Sequence, residues 1–169
     1  MALSKAYLFA GVEIRWQCAL ELITDTNPVP QQQKLCFPGG LADYLKHSTE
    51  NKPLLLSHPF AGRIEIEGQK FEWASTWLTP AEDGFFRSYC NTVPTPLGGT
   101  HETGFRQAIS RGLRNYGDMV NQKTAADLTA EDILAETAGM LSVFLREPQF
   151  QGQTKDRLVT ADATRQTEA

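Results

Sequence analysis

From Glu147 the chain reads Glu-Pro-Gln-Phe-Gln-Gly-Gln-Thr-Lys, ending at Lys155. A hydrophobic run stops at Pro148, and the short loop that follows carries glutamine amides, a glycine, a hydroxyl and one lysine ammonium. Hydrogen-bond donors and a cation on a loop backed by a rigid strand can converge on a single anion. The same residues also fit a plainer outcome, in which Lys155 is a solvated lysine opening a polar tail.

Other reactive side chains are scattered. Cys18, Cys36 and Cys90 form no CxxC pair, and His47, His58 and His101 show no HExxH spacing, so no metal site is expected and the thiols read as buried and free. The chain has no P-loop and no GxGxxG. Gly98-Gly99 ahead of a helix can hold a phosphate, although a tight turn plus a cap accounts for the same residues. Arg106, Arg111 and Arg114 give that helix a basic side, which is either a solvated surface or a contact for a polyanion. Asp43, Glu131 and Asp132 read as helix-capping carboxylates, and nothing in the pattern sets an acid against a base.

These residues sit in 169 positions, room for one ordinary domain with short appendages. A 41% hydrophobic and 21% charged composition is that of a chain with a core, and the net charge of -4 argues against an autonomous nucleic-acid binder. No apolar run is long enough to span a membrane, and residues 1–5 lack a signal-peptide pattern, so a cytoplasmic location is expected.

The positioning elements follow from periodicity. Residues 4–9 read as the end of a helix that looks truncated at Met1, and Gly11 releases the chain into an alternating strand at 12–16. A loop at 24–33 containing Asn27-Pro28 precedes a short strand at 34–37, a Pro38-Gly39-Gly40 stop and a helix at 41–47. Strands are expected at 60–67 and 71–77, with Gly68-Gln69 as their turn, and then at 85–91. The aromatics Phe71, Trp73 and Trp77 share one face and read as core. So far the pattern is an antiparallel meander. The longest helix starts at a Thr100 N-cap, and Phe105, Ile109, Leu113, Tyr116 and Val120 form its apolar stripe. Thr129 to Asp132 resembles a capping box, Gly139 can end that helix, and 140–145 reads as a buried central strand. From Asp156 on, the polar chain reads as a linker helix or a frayed, projecting end.

Two runs are more specific than these elements. Ser88-Tyr89-Cys90-Asn91-Thr92-Val93-Pro94-Thr95-Pro96-Leu97-Gly98-Gly99-Thr100-His101-Glu102-Thr103-Gly104-Phe105-Arg106 closely resembles the second domain, or transducer, of the ATPase subunit of bacterial type IIA DNA topoisomerases, and the later stretches Leu128 to Asp132, Leu141 to Val143 and Pro148 to Lys155 match the same domain in the same order. Residues 4–16 resemble the last helix and strand of the ATPase domain before it. The Tyr-Cys-Asn-Thr-Val-Pro-Thr wording is nearer the B subunit of topoisomerase IV than gyrase B.

The resemblance implies an α+β fold like the second domain of ribosomal protein S5: a mixed, largely antiparallel sheet with helices on one face. It implies a division into 1–17, the remnant of the ATPase domain, 18–155, the transducer, and 156–169, the start of a linker helix or a frayed tail. In this family ATP is held with Mg2+, and the glutamine and lysine of the QTK loop contact its terminal phosphate. The matching positions are Gln153 and Lys155, with Lys155 as the catalytic residue. Arg106 matches a cavity-lining basic position and is the candidate DNA contact. Expected partners are DNA, a second copy of the same polypeptide and the DNA-cleaving subunit, with no membrane. The family's ATP pocket and metal-binding cleavage domain have no counterpart in these residues, so the chain alone is expected to bind no nucleotide and to turn over nothing. A stand-alone, non-catalytic interaction module with the same fold is the alternative, and a mismatch-repair or chaperone relative is a third.

Overall fold

The computed structural model describes all residues except Met1, Asn27, Ala81 and Ala169. The helix start expected at Met1, the Asn27 part of the first loop and the outer limits of the domain division fall outside the described residues. In chain order the elements are α1 (Ala2–Leu8), β1 (Ile14–Gln17), β2 (Gln32–Leu35), α2 (Leu41–Ser48), β3 (Phe60–Ile66), β4 (Gln69–Trp77), β5 (Phe85–Cys90), β6 (Val93–Pro94), α3 (Thr100–Met119), α4 (Ala130–Leu134), β7 (Thr137–Phe144), β8 (Phe150–Gln151), β9 (Arg157–Leu158) and α5 (Ala161–Glu168).

The fold is α+β, built on a mixed sheet with strand order β3-β4-β7-β5-β6. β7 takes the centre because its Thr-Ala-Gly-Met-Leu-Ser-Val-Phe sequence is nearly apolar on both faces, and all but Phe144 are buried. It runs antiparallel to β4, from Lys70↔Phe144 to Trp77↔Thr137, and parallel to β5, from Phe85↔Ala138 to Cys90↔Val143. The expected meander therefore stops after β4, since β5 lies across β7 from it. Parallel neighbours need a long connection, which α3 and α4 supply. Gly139 does not end a helix. It lies inside β7, where a Cβ would press on the Phe86 ring at 2.5 Å.

Helices cover both faces of the sheet, a correction to the one-face arrangement. Alternate residues of β4, β5 and β7 point opposite ways, so both faces are apolar and both need cover. On one face Leu8, Leu41 and Leu45 of α1 and α2 pack with Ala74, Tyr89, Ala138 and Met140. On the other, Phe105 of α3 and Ala163 of α5 pack with Phe71, Cys90, Leu141, Val143 and Leu158. The rings of Phe37, Tyr7 and Tyr44 stack at 3.8 and 4.4 Å, which ties α1 to α2.

The polar segment after Asp156 is not a loose end. α5 lies along α3: Ala163 is fully buried, Thr164 Oγ1 donates to Thr100 O at 3.0 Å, and Arg111 binds Glu168 Oε1 at 2.7 Å. Gly104 allows this approach, because a Cβ there would collide with the Thr164 backbone. Contact between small residues replaces the hydrophobic stripe that a docked helix usually shows. The stripe of α3 itself is only half used. Phe105 is buried, whereas Tyr116 is 61% and Val120 50% exposed.

Two local expectations shift by a residue. The β3–β4 turn is Glu67-Gly68, with φ of 53° and 74°, because Ile66 pairs with Gln69. Both central residues are left-handed, as a two-residue hairpin requires. The N-cap of α3 is Gly99 rather than Thr100, and no side chain caps that end. The capping box at α4 is as expected: Thr129 Oγ1 accepts from Asp132 N at 3.1 Å, and Thr129 N donates to Asp132 Oδ2 at 2.9 Å.

Gly112 lies in the middle of α3, without a positive φ and with no atom within 4 Å of where a Cβ would stand. Gly112→Ala is therefore expected to stabilise the fold by about 0.5–1 kcal/mol, measured by thermal or denaturant unfolding.

Candidate functional site

The loop containing Gln153 and Lys155 is the tip of a β-hairpin. Phe150 pairs with Leu158 and Gln151 with Arg157, leaving residues 152–156 as the connection. Two left-handed positions turn it, Gly152 at φ 74° and Lys155 at φ 60°. Leu158 is fully buried and Phe150 packs on the same core, so the hairpin has an apolar foot. Gln153, Thr154 and Lys155 are exposed together at the tip. The Lys155 ammonium lies 5.8 Å from the Phe150 ring centroid and forms no ion pair with a described residue.

The hairpin is fastened to a distant segment. Leu97 N donates to Asp156 O at 2.9 Å, Leu158 N donates to Gly98 O at 3.1 Å, and Gly99 forms a parallel bridge with Leu158. Gly98-Gly99 thus receives the backbone of β9. Gly99, at φ 144°, lies so close to Leu158 that only a missing Cβ permits the contact. The glycine pair serves this approach, and its phosphate-holding alternative is not needed to account for it. At the foot, Asn91 acts as a strand substitute: its side chain accepts from Leu145 N at 2.9 Å and donates to Leu145 O at 3.0 Å.

Beneath residues 97–99 lies a buried polar cluster. Ser88 Oγ is 2.6 Å from Glu102 Oε1 and 2.6 Å from Thr95 Oγ1, and Thr95 Oγ1 is 3.1 Å from His101 Nε2. Thr95 also accepts Gly98 N at 2.8 Å on its carbonyl, and its own N–H donates to Ser88 O at 2.9 Å. The sequence singles out His101 only as part of a motif and gives Ser88, Thr95 and Glu102 no role in a site. No local signal links them, because folding of the β5–β6 turn onto α3 brings them together.

His101 is fully buried, and burial pulls its imidazole down to about 4 from 6.5. It is therefore neutral near pH 7. Between these values the unfolded chain binds the proton and the folded chain does not, so stability falls as pH drops from 6.5 to about 4 and the loss then levels off. The full effect is on the order of 3 kcal/mol. The difference between wild-type and His101→Gln unfolding curves across this window isolates it: the wild type should lose more stability than the variant.

Arg106 lies one turn along α3, part-exposed, with its guanidinium 3.7 Å from Glu102 Oε2 and 5.7 Å from the Phe86 ring centroid. The other two arginines of the basic side are committed within the fold: Arg111 to Glu168, and Arg114 to Leu128 O at 2.6 Å. The structure thus brings Gln153 and Lys155 together and places Arg106 apart from them, on the helix. Among the described residues, no three His, Cys, Asp or Glu side chains gather as metal ligands, and no helix is long and apolar enough to cross a membrane.

Relatives share this sequence and fold. The B subunit of DNA topoisomerase 4 from Caulobacter vibrioides is 48% identical over 174 residues, covering 100% of this chain and 25% of that protein. Its counterpart from Bartonella bacilliformis is 47% identical, covering 98% of this chain and 24% of that one. The chain spans about a quarter of the length of these curated relatives. Among solved structures, the 43K ATPase domain of Thermus thermophilus gyrase B in complex with an aminocoumarin matches with a TM-score of 0.76 at 27% identity, over 97% of this chain and 42% of that one. The topoisomerase IV ATP-binding domain of Francisella tularensis matches with a TM-score of 0.78 at 25% identity, over 98% and 42%. The family model described as DNA gyrase B matches residues 40–169, most of the chain, and with the relatives' identity across its whole length this chain belongs to the DNA gyrase B family.

Proposed function

We propose that residues 18–155 are the transducer of an ATP-hydrolysing type II DNA topoisomerase subunit, with 1–17 closing its ATPase domain and 156–169 leading onward. In this reading Gln153 and Lys155 contact the terminal phosphate of ATP held with Mg2+ by the rest of the subunit. The observation that carries it is the hairpin: an exposed ammonium and an exposed amide on one tip, with a foot bonded to the start of α3. Bound ATP supplies the phosphoryl group. The Lys155 ammonium offers charge to its oxygens and the Gln153 amide offers a hydrogen bond, which is most of what a protein contributes to that reaction.

Because the hairpin foot joins residues 97–99, loss of the phosphate would release the tip and its pull on α3, a switch of the ligand-ordered kind. Arg106, on the same helix, is the proposed DNA-phosphate contact. A second copy of the same polypeptide and the DNA-cleaving subunit complete the proposed assembly. Amine-reactive footprinting of the full-length protein tests the contact. Labelling of Lys155 should fall with a non-hydrolysable ATP analogue and Mg2+ but not with ADP, and equal labelling in both states would overturn it.

A further inference from the structure

Hydroxyl protons can be counted through the cluster under residues 97–99. Each of Ser88 and Thr95 has one hydroxyl proton, and an ionised Glu102 can only accept. Ser88 therefore donates to Glu102 Oε1 at 2.6 Å, which is a stronger acceptor than Thr95 O at 3.2 Å. With its proton used, Ser88 Oγ accepts from Thr95 Oγ1 at 2.6 Å. Thr95 Oγ1 then has no proton left and accepts from His101 Nε2 at 3.1 Å. This assigns the Nε2–H tautomer and leaves Nδ1 as a bare lone pair. Nδ1 is indeed buried without a partner among the described residues, which is less costly for a lone pair than for an N–H.

We infer that Ser88, Thr95 and His101 are positioning residues for Lys155: a one-directional chain of buried hydrogen bonds, closed by the Glu102 carboxylate, holds residues 97–99, on which the Gln153–Lys155 hairpin is fastened. The chain runs from β5, beside the central strand, to the first turn of α3. Thr95 is its link to the hairpin, because its side chain belongs to the chain and its carbonyl binds Gly98. Gly98 and Leu97 make the two hydrogen bonds to β9 and Asp156. The inference takes its functional meaning from the phosphate-contact reading, but the placement of the hairpin can be tested separately.

The test is amide hydrogen exchange on the full-length protein carrying Thr95→Val or His101→Asn. The first removes the linking hydroxyl at constant shape, and the second removes the Nε2 donor. Both should speed exchange at Leu97 and Leu158 about tenfold, as expected for loss of one buried hydrogen bond, while the amides of β7 keep wild-type rates. Thr95→Ser keeps the hydroxyl, and His101→Gln places an amide donor near Nε2, so both should return exchange to within about twofold of wild type. Unchanged exchange at Leu97 and Leu158 overturns the inference. So does equal acceleration in β7, which would mean general loosening of the fold. Hydrolysis by the same proteins separates the two readings: faster exchange with unchanged kcat supports the positioning chain and removes the phosphate contact, whereas a lower kcat at constant KM supports both.

Discussion

Lys155→Ala in the full-length protein is expected to lower ATP hydrolysis by roughly 10²–10³-fold while nucleotide affinity stays near wild type. The asymmetry comes from where the cation acts. Most of the binding energy of a nucleotide comes from its base, ribose and metal-bound phosphates. An ammonium at the terminal phosphate matters most when charge on the transferred group redistributes in the transition state. Lys155 can be removed without disturbing the fold: it is exposed, forms no ion pair with a described residue, and lies 5.8 Å from the Phe150 ring centroid. Steady-state turnover and equilibrium binding of a non-hydrolysable analogue, measured on the same preparation, decide the matter. Wild-type turnover in the variant would remove Lys155 from the reaction.

Gly99→Ala should destabilise the fold by about 3 kcal/mol, lowering Tm by roughly 6–12 °C. Two costs combine. At φ 144° and ψ -163° the backbone occupies a region that almost only glycine visits. A Cβ would also meet the backbone of Leu158, including its N at 2.7 Å, and backbone cannot move aside as a flexible side chain would. Gly152→Ala is the matched control: its φ of 74° is also left-handed, but nothing lies within 4 Å of a Cβ there. It should cost only about 1 kcal/mol. If thermal unfolding shows equal losses for the two variants, the close approach of β9 to the start of α3 is not what Gly99 serves.

Features whose causes lie within a few residues are legible in the chain alone. The α4 capping box needs only Thr129 and Asp132, and the central place of β7 shows in an apolar run suited to a strand buried on both faces. Where a local pattern fits two registers it misleads by one residue, as at Glu67-Gly68 and at the Gly99 cap, because the pairing partner settles the register. The chemistry of the Gln153–Lys155 loop is likewise legible as residue types, and the resemblance to a known family supplies the expected ligand.

Most elements, the apolar faces of the sheet and the donors carried by one loop thus follow from residue order. Three further matters needed the folded chain. Folding laid α5 on α3 through Gly104, Ala163 and Thr164, small residues that form no hydrophobic stripe and so give no periodic signal. It put helices on both faces of the sheet, since α1 and α2 cover one side and α3 and α5 the other. And it joined the Gly98-Gly99-Thr100-His101 segment to the hairpin bearing Lys155, more than fifty positions away. One cause is common to all three: hydrogen bonds and close approaches between segments depend on distance in space, whereas periodicity records only the spacing along one segment.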